Sequence, residues 1–546
     1  MLENKRYSTV HYLISMLKAY GIRHIVSSPG TQNAAFNLFI QNDDFFKIYS
    51  VVDERSAAYV STGIAFETQE PVVITCTEAT ASRNYLSALT EAYYRDVPII
   101  ACTFYNENLN KFALSAQYSD RSVSQNDIKE ISIDLPQIKT IQDKQKCLTY
   151  LNATLSIAKY KNKPVHINCP SLLSINDINE IKTLPDDIWT TKIYNENFDD
   201  VKSELQNKKV AIFIGSHKKF DKETQEAISS FAQNYKIPVI CDHTSNYHGK
   251  NKLILAQLTR VITENLKPEL IIDIGSISGD YTANKILKNA KLWRISQDNK
   301  FQCRNNIVTE KIFNCKELTF FSSMNTKNND DLDYYNQLKT QIETFDLPTL
   351  PFSMPLIAQH LTKNLPKNSS LHLSILNALR CANYFEIDES IDVICNVGGF
   401  GIDGALSTLV GQSFASQDKT CFGLIGDLAF FYDMNILGNK NIKNNLRILL
   451  VNNNKGTEFH LGPLKKVNNK DEVLDPVVAA NSHYKNGAKA WAQSCGFEYI
   501  CASNSEEFTT QIKDFCKKTS DKPIIFECFT ISENEEIGLK LLQNER

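Results

Sequence analysis

The sequence predicts an α/β protein built from three doubly wound parallel-sheet domains. Three observations lead there. Short β-branched or apolar runs recur along the chain, each run ends in small or polar residues, and helical patterns separate one run from the next. At 546 residues the chain also exceeds the roughly 250–300 residues at which a single core stops growing. Two polar stretches, NDINEIKTLPDDIWTTKIYNENFDD and MNTKNNDDLDYYNQLKT, interrupt the rhythm and place the domains at 1–190, 191–345 and 346–546.

In the first domain GIRHIVSSPG, FKIYSVVDE, PVVITCTE, DVPIIACTF and KPVHINCP read as strands. In the second, KKVAIFIGSHKKF, KIPVICDH, PELIIDIGS and AKLWRISQD do so. The third holds IDVICNVGGFGIDG, TCFGLIGD, LRILLVNNN, a helix around GAKAWAQSCG, and a last strand PIIFECFT. A hydrophobic content of 42% with 22% charged residues describes an ordinary globular protein. A formal charge of −3 gives no case for nucleic acid or an anionic membrane as partner. The start carries charges among its apolar residues, with no signal-peptide core, and no apolar run approaches the roughly 20 residues that span a bilayer. The fourteen cysteines are scattered through apolar segments without zinc-ligand spacing, as expected of reduced core thiols in the cytoplasm.

Ligands of open parallel sheets sit beyond the carboxyl ends of the strands, so residues just after strands carry the information. Asp427 follows GLIG, and Asn452, Asn453 and Asn454 follow RILLV. An Asp carboxylate, an Asn carbonyl and a backbone carbonyl are hard oxygen ligands suited to Mg²⁺ or Ca²⁺. Such a cation bridges to a diphosphate, here against the helix starting near Leu428. The glycine-rich NVGGFGIDG, residues 396–404, permits close backbone approach. Glu54 follows a strand and opens a helix, a position the macrodipole also favours for purely structural reasons. TCTEATASRN, residues 75–84, is a small-residue loop entering a helix and contains Asn84. Taken singly, each of these features also serves as strand-end or helix-end punctuation.

Together they resemble the thiamine diphosphate-dependent decarboxylase and carboligase superfamily, and within it the menaquinone-pathway synthases of the MenD family. The segments that carry the likeness are GIRHIVSSPGTQNAAF, VVDERSAAYVSTGIAF, LTEAYYRDVPII, PVHINCP, GGFGIDGALSTLVG, LIGDLAFFYDMN and LLVNNNKG. The resemblance implies pyrimidine-binding, central and diphosphate-binding domains in that order. It implies that Glu54 bonds the aminopyrimidine ring, with Asn84 nearby, and that Asp427, Asn453 and the Lys455 carbonyl hold Mg²⁺ or another divalent cation. Leu428 and Ala429 would flank the diphosphate, Ile402 would prop the bent cofactor, and Gly398, Gly399 and Gly401 would allow close approach. It further implies a homodimer or homotetramer with sites shared between subunits. The reaction would be decarboxylation of a 2-oxo acid followed by carboligation, or protonation in a simple decarboxylase.

The chain departs from the MenD pattern where arginines bind carboxylates. Thr31-Gln32 replaces Ser-Arg, Asn106 and Val397 stand at arginine positions, and only Ser374 survives of a Ser/Arg pair. Asn284-Lys285 replaces Lys-Arg, while Gln117 matches a substrate-contacting glutamine. Each lost charged hydrogen bond removes about 1.5–3 kcal/mol. The expectation is therefore a smaller donor such as pyruvate with a polyhydroxy or nucleotide-sugar-like acceptor, fitting Thr31, Gln32, Asn106 and Asn377. The alternatives are the menaquinone synthase itself, using isochorismate and 2-oxoglutarate, and a non-catalytic cofactor-binding relative. Glu78 stands where relatives carry a Ser-Gly pair, and Glu458 and His460 follow the metal loop. His460 is a candidate proton donor, against the alternative of a surface loop histidine. No strand leads into GxGxxG, which disfavours a dehydrogenase, and FAD is not expected.

Overall fold

The computed structural model describes residues 7–106, 111–119, 125–171, 183–188, 190, 198–280, 282–297, 304, 309–326, 332–416, 418–454, 456, 484 and 486–544. They form three six-stranded sheets in which the neighbouring strands pair parallel. The first comprises β1 (His24–Ser27), β2 (Lys47–Ser50), β3 (Val72–Cys76), β4 (Ile99–Tyr105), β5 (Ile131–Asp134) and β6 (Val165–Pro170), ordered β2-β1-β3-β4-β6-β5. The second comprises β7 (Val210–Ile214), β8 (Val239–Cys241), β9 (Lys252–Ile254), β10 (Leu270–Ile274), β11 (Lys291–Ile295) and β12 (Thr309–Phe313), ordered β12-β11-β10-β7-β8-β9. The third comprises β13 (Ser370–Leu373), β14 (Asp392–Ile394), β15 (Cys421–Gly426), β16 (Leu446–Asn452), β17 (Glu498–Ala502) and β18 (Ile524–Phe529), ordered β14-β13-β15-β16-β18-β17. β1, β3, β7, β10, β13 and β16 are buried at every residue, which is why they read as continuous apolar runs rather than alternating ones.

The first and third sheets repeat one winding. In each, the chain turns outward after the first strand and returns on its other side, so a crevice opens between β1 and β3 and between β13 and β15. The middle sheet reverses between β7 and β10, but there the crevice is laced shut. The amides of Gly215, Ser216 and Ser276 donate to the carbonyls of Ile274, Ile277 and Ser216 at 3.0, 3.1 and 2.8 Å. Arg304 adds a bond from Nη1 to the Ser276 carbonyl at 2.9 Å, and its Nε bonds Asp273 at 2.8 Å. A Cβ on Gly215 would lie 1.9 Å from the Ser276 carbonyl oxygen. The protein's own backbone and an arginine fill the place where such a sheet takes a dinucleotide.

The chain divides into two compact units, Met1–Ile193 with Val410–Ala415, and Tyr194–Leu409 with Ser416–Arg546. Among the described cysteines all but Cys495 and Cys501 are buried, and none is in a disulfide. Among the described residues no helix is long and apolar enough to cross a membrane.

One buried acid in the second unit makes stability depend on pH. Glu535, in the helix Ser532–Gln543, is 1% exposed and accepts bonds from the Met354 amide at 3.0 Å and the Thr530 hydroxyl at 2.6 Å. Burial, reinforced by the charge of Asp427, pushes its carboxyl up from 4.5 to about 7. The native state therefore binds this proton more tightly than the unfolded chain does. Stability is full below the unfolded pKa and falls as pH rises toward the folded one, by on the order of 2–3 kcal/mol. Glu535→Gln keeps an acceptor and should flatten that decline, which urea midpoints measured at about pH 5 and about pH 8 will show. An unchanged slope would clear Glu535 of the effect.

Candidate cofactor site

In the second unit the crevice of the third sheet holds Asp427. The loop leaving β13 is tied to β15 by the Ser374 amide, which donates to the Leu424 carbonyl at 3.0 Å, and by the Gly426 amide, which donates to the Ser374 hydroxyl at 3.3 Å. The chain then enters the helix Asp427–Asp433, whose far end is anchored where Asp433 accepts the Ser407 amide at 2.6 Å and hydroxyl at 2.7 Å. Asp427 is 4% exposed; its Oδ1 accepts the Leu428 amide at 2.9 Å, and its Oδ2 has no hydrogen-bond partner among the described residues. Burial pushes this carboxyl up to about 7 against the pull of the Leu428 and Asn454 amides. A buried carboxylate oxygen left unmatched is costly, and a divalent cation is the partner that would cancel the cost. The residues therefore fit a metal.

The three asparagines are not equivalent. β16 ends at Asn452, whose Oδ1 accepts the Asn454 amide at 3.1 Å and whose Nδ2 donates to Glu527 at 2.7 Å. Both ends of the Asn452 amide are thus engaged within the protein. Asn454 turns the chain with φ 56°. Asn453 lies between them in the chain. Lys455, Glu458 and His460 lie outside the described residues. Leu428 is half-buried and Ala429 buried at the start of the helix.

The glycine-rich run follows β14. Asn396 is buried and donates to the Thr408 hydroxyl at 3.0 Å. Gly398, Gly401 and Ile402 are half-buried and Gly399 is exposed, while the left-handed turn falls on Phe400, at φ 54°. Phe400 and Ile402 pack against the core of the third domain. Val397 is itself in that core, fully buried, and a Cβ on Gly279 would lie 2.8 Å from it. Its side chain packs in the core of the third domain. Asn284 and Lys285 are exposed on the helix Ala283–Leu287. Sequence reading passed over Arg380, half-buried in the helix Asn377–Ala382 that leaves β13, where its charge acts on the buried Asp280. Its place just after a strand at the crevice was the available signal.

In the first unit, the crevice between β1 and β3 is held by Asn33, which sequence reading also missed. Asn33 is fully buried; it accepts the Gly30 amide at 2.8 Å and donates to the Ser28 carbonyl at 3.1 Å and the Thr75 hydroxyl at 3.3 Å. A Cβ on Gly30 would lie 2.7 Å from Thr77 Cβ, so glycine is what lets the two loops touch. Thr31 on this loop is exposed, and Gln32 Oε1 accepts the Ser171 hydroxyl at 2.6 Å.

Glu54 opens the helix Glu54–Thr68, capped independently by Asp53, which accepts the Arg55 amide at 3.1 Å and the Ser56 hydroxyl at 2.8 Å. Glu54 is half-buried, and its Oε2 accepts Asn84 Nδ2 at 3.2 Å. The structure thus brings together two of the sequence candidates, thirty residues apart. It joins a second pair as well, since Glu78, 5% exposed, accepts the Asn106 amide at 3.3 Å. Gln117 is exposed, with φ 66°.

Between these pairs Ala79 adopts φ 62° and ψ −129°, a conformation that glycine takes freely and alanine does not. Such residues cost about 1–3 kcal/mol, whereas the added unfolded-state freedom of glycine costs about 0.4–1 kcal/mol. Ala79→Gly should therefore stabilise the protein by about 1 kcal/mol in urea unfolding. A loss of stability would show that Ala79 is not strained.

Comparison with known proteins shows the family of the chain. Residues 8–119, which hold Glu54, Glu78, Asn84 and Asn106, match the family model described as thiamine pyrophosphate enzyme, N-terminal TPP binding domain. Over 555 aligned residues the chain is 30% identical to the 2-succinyl-5-enolpyruvyl-6-hydroxy-3-cyclohexene-1-carboxylate synthase of Phocaeicola vulgatus, covering 97% of this chain and 96% of that protein. The chain belongs to the MenD-like family of thiamine diphosphate enzymes. Proteins of the same name from Bacteroides fragilis and Flavobacterium johnsoniae are 29% and 27% identical, each alignment covering 97% of both partners. This MenD-like protein is a thiamine diphosphate-dependent lyase or transferase. Its Glu54–Asn84 pair and its Asp427 site belong to different compact units of the chain.

Proposed function

We propose that the protein decarboxylates 2-oxoglutarate and adds the resulting acyl carbon to isochorismate, the 2-succinyl-5-enolpyruvyl-6-hydroxy-3-cyclohexene-1-carboxylate synthase reaction. The observation that carries this reading is the likeness to synthases of that name along 97% of the chain. It favours this substrate pair over the smaller donor expected from the missing arginines. Bound thiamine diphosphate would supply a nucleophilic carbon and an electron sink. Glu54 would accept the bond of the aminopyrimidine ring and hold it in the form that takes up the reactive proton. Asp427, Asn453 and the Lys455 carbonyl would hold Mg²⁺, with Leu428 and Ala429 at the diphosphate and Ile402 beneath the ring. We infer further that two copies assemble, each lending its Glu54 to the Asp427 of the other.

One observation favours a second reading, a small monocarboxylate donor with a polar acceptor. Buried Glu78, bonded to the Asn106 amide, adds a carboxylate to a set of candidate substrate residues in the first unit in which Thr31 and Gln32 are neutral. That charge opposes a second carboxylate on the donor. Incubation with thiamine diphosphate, Mg²⁺ and a panel of 2-oxo acids, with and without isochorismate, separates the two by CO₂ release. Consumption of 2-oxoglutarate that depends on isochorismate supports the first reading, and consumption of pyruvate alone supports the second. Failure to bind the cofactor or consume any 2-oxo acid overturns both.

A further inference from the structure

Behind Asn453 the third sheet carries a buried polar chain that the cofactor assignment does not use. Glu527, on β18, is fully buried; one carboxylate oxygen accepts Asn452 Nδ2 at 2.7 Å and the other accepts the Tyr499 hydroxyl of β17 at 2.6 Å. Asn452 in turn accepts the Asn454 amide through Oδ1 at 3.1 Å, and its carbonyl takes the Thr530 amide at 3.0 Å. Four hydrogen bonds thus connect three adjacent strands and the residue after Asn453. Burying a carboxylate in a sheet costs several kcal/mol, and apolar residues of similar volume would serve stability as well or better. What the carboxylate does here is directional. Because both its oxygens accept, Asn452 must present its NH₂ to Glu527 and its oxygen to the loop.

We propose that Glu527 and Asn452, with Tyr499, are positioning residues for the metal site: they fix the bend from Asn452 to Asn454 that points Asn453 at the cation. The proposal rests on the assignment of Asp427 and Asn453 to a divalent cation. It assigns neither residue to the cation itself. Outer partners of metal ligands matter in this way because a ligand held in place loses no further freedom on binding.

Mn²⁺ affinity in the presence of thiamine diphosphate, read by electron paramagnetic resonance, tests it, alongside thermal unfolding without either ligand. Glu527→Ala and the isosteric Asn452→Asp should weaken Mn²⁺ binding by roughly 10–100-fold, and Glu527→Gln, which keeps an acceptor for Asn452, should recover most of the loss. A role in stability alone would lower the unfolding temperature and leave Mn²⁺ affinity within roughly twofold of wild type, and that result overturns the proposal. Should Glu527→Ala fail to fold, Asn452→Asp and Glu527→Gln decide the matter. If the wild type itself binds no Mn²⁺ with thiamine diphosphate, the underlying metal assignment falls, an outcome distinct from unchanged variants.

Discussion

Glu54→Gln is expected to remove nearly all turnover and leave the fold intact. The fold should survive because the helix Glu54–Thr68 is capped by Asp53, not by Glu54, and because glutamine keeps an acceptor for Asn84. The lost macrodipole interaction amounts to about 0.3–1 kcal/mol. Activity should fall because a neutral amide would not hold a bound aminopyrimidine ring in the form that takes up the reactive proton, and a positioned acid–base group contributes about 10²–10⁴-fold. CO₂ release alongside circular dichroism measures both halves of the expectation. A variant that is folded and fully active would remove Glu54 from the chemistry.

The second large effect has opposite signs in the free and loaded protein. Asp427 is buried, with one carboxylate oxygen unmatched and its acidity suppressed, so the free protein bears a desolvation penalty for it. Asp427→Asn removes that charge, and the ligand-free protein should be as stable as wild type or more so, by about 1–3 kcal/mol. Wild type should gain about 2.7 kcal/mol from Mg²⁺ and thiamine diphosphate at a hundred times the dissociation constant, and the variant should gain almost none. Thermal unfolding with and without both ligands reads the pair of shifts. Undiminished stabilisation of Asp427→Asn would mean that the cation binds elsewhere.

How much of this was legible beforehand differs from residue to residue. Asp427 and Glu54 stood out because a carboxylate directly after an apolar run is a local feature, visible without knowing what surrounds it. β13, the tetrapeptide Ser370–Leu373 within SSLHLSIL, was missed because a strand so short, with a buried histidine, has no alternation or length to mark it. Asn33 and Arg380 were missed for another reason: their roles depend on which strands lie side by side. That Val397 packs in the core of the third domain likewise depends on the tertiary structure.

The backbone tells a similar story. Within the glycine-rich run, which the sequence marks for close backbone approach, the positive φ falls on Phe400 and not on a glycine, and in the first unit another falls on Ala79. Local propensity disfavours both, and the tertiary contacts that over-determine a loop can impose such angles where propensity alone never would.

By itself the sequence determined the α/β class, the parallel strands, the strand-end carboxylates and the family, because each is written in short runs of residue type. The tertiary structure alone decided that Asn452 is tied to Glu527 and to the Asn454 amide, that Glu54 meets Asn84, and that the middle crevice is closed. Those outcomes are set by hydrogen bonds between residues far apart in the chain, and such bonds exist only once strand order has brought their partners within 3 Å or so of one another.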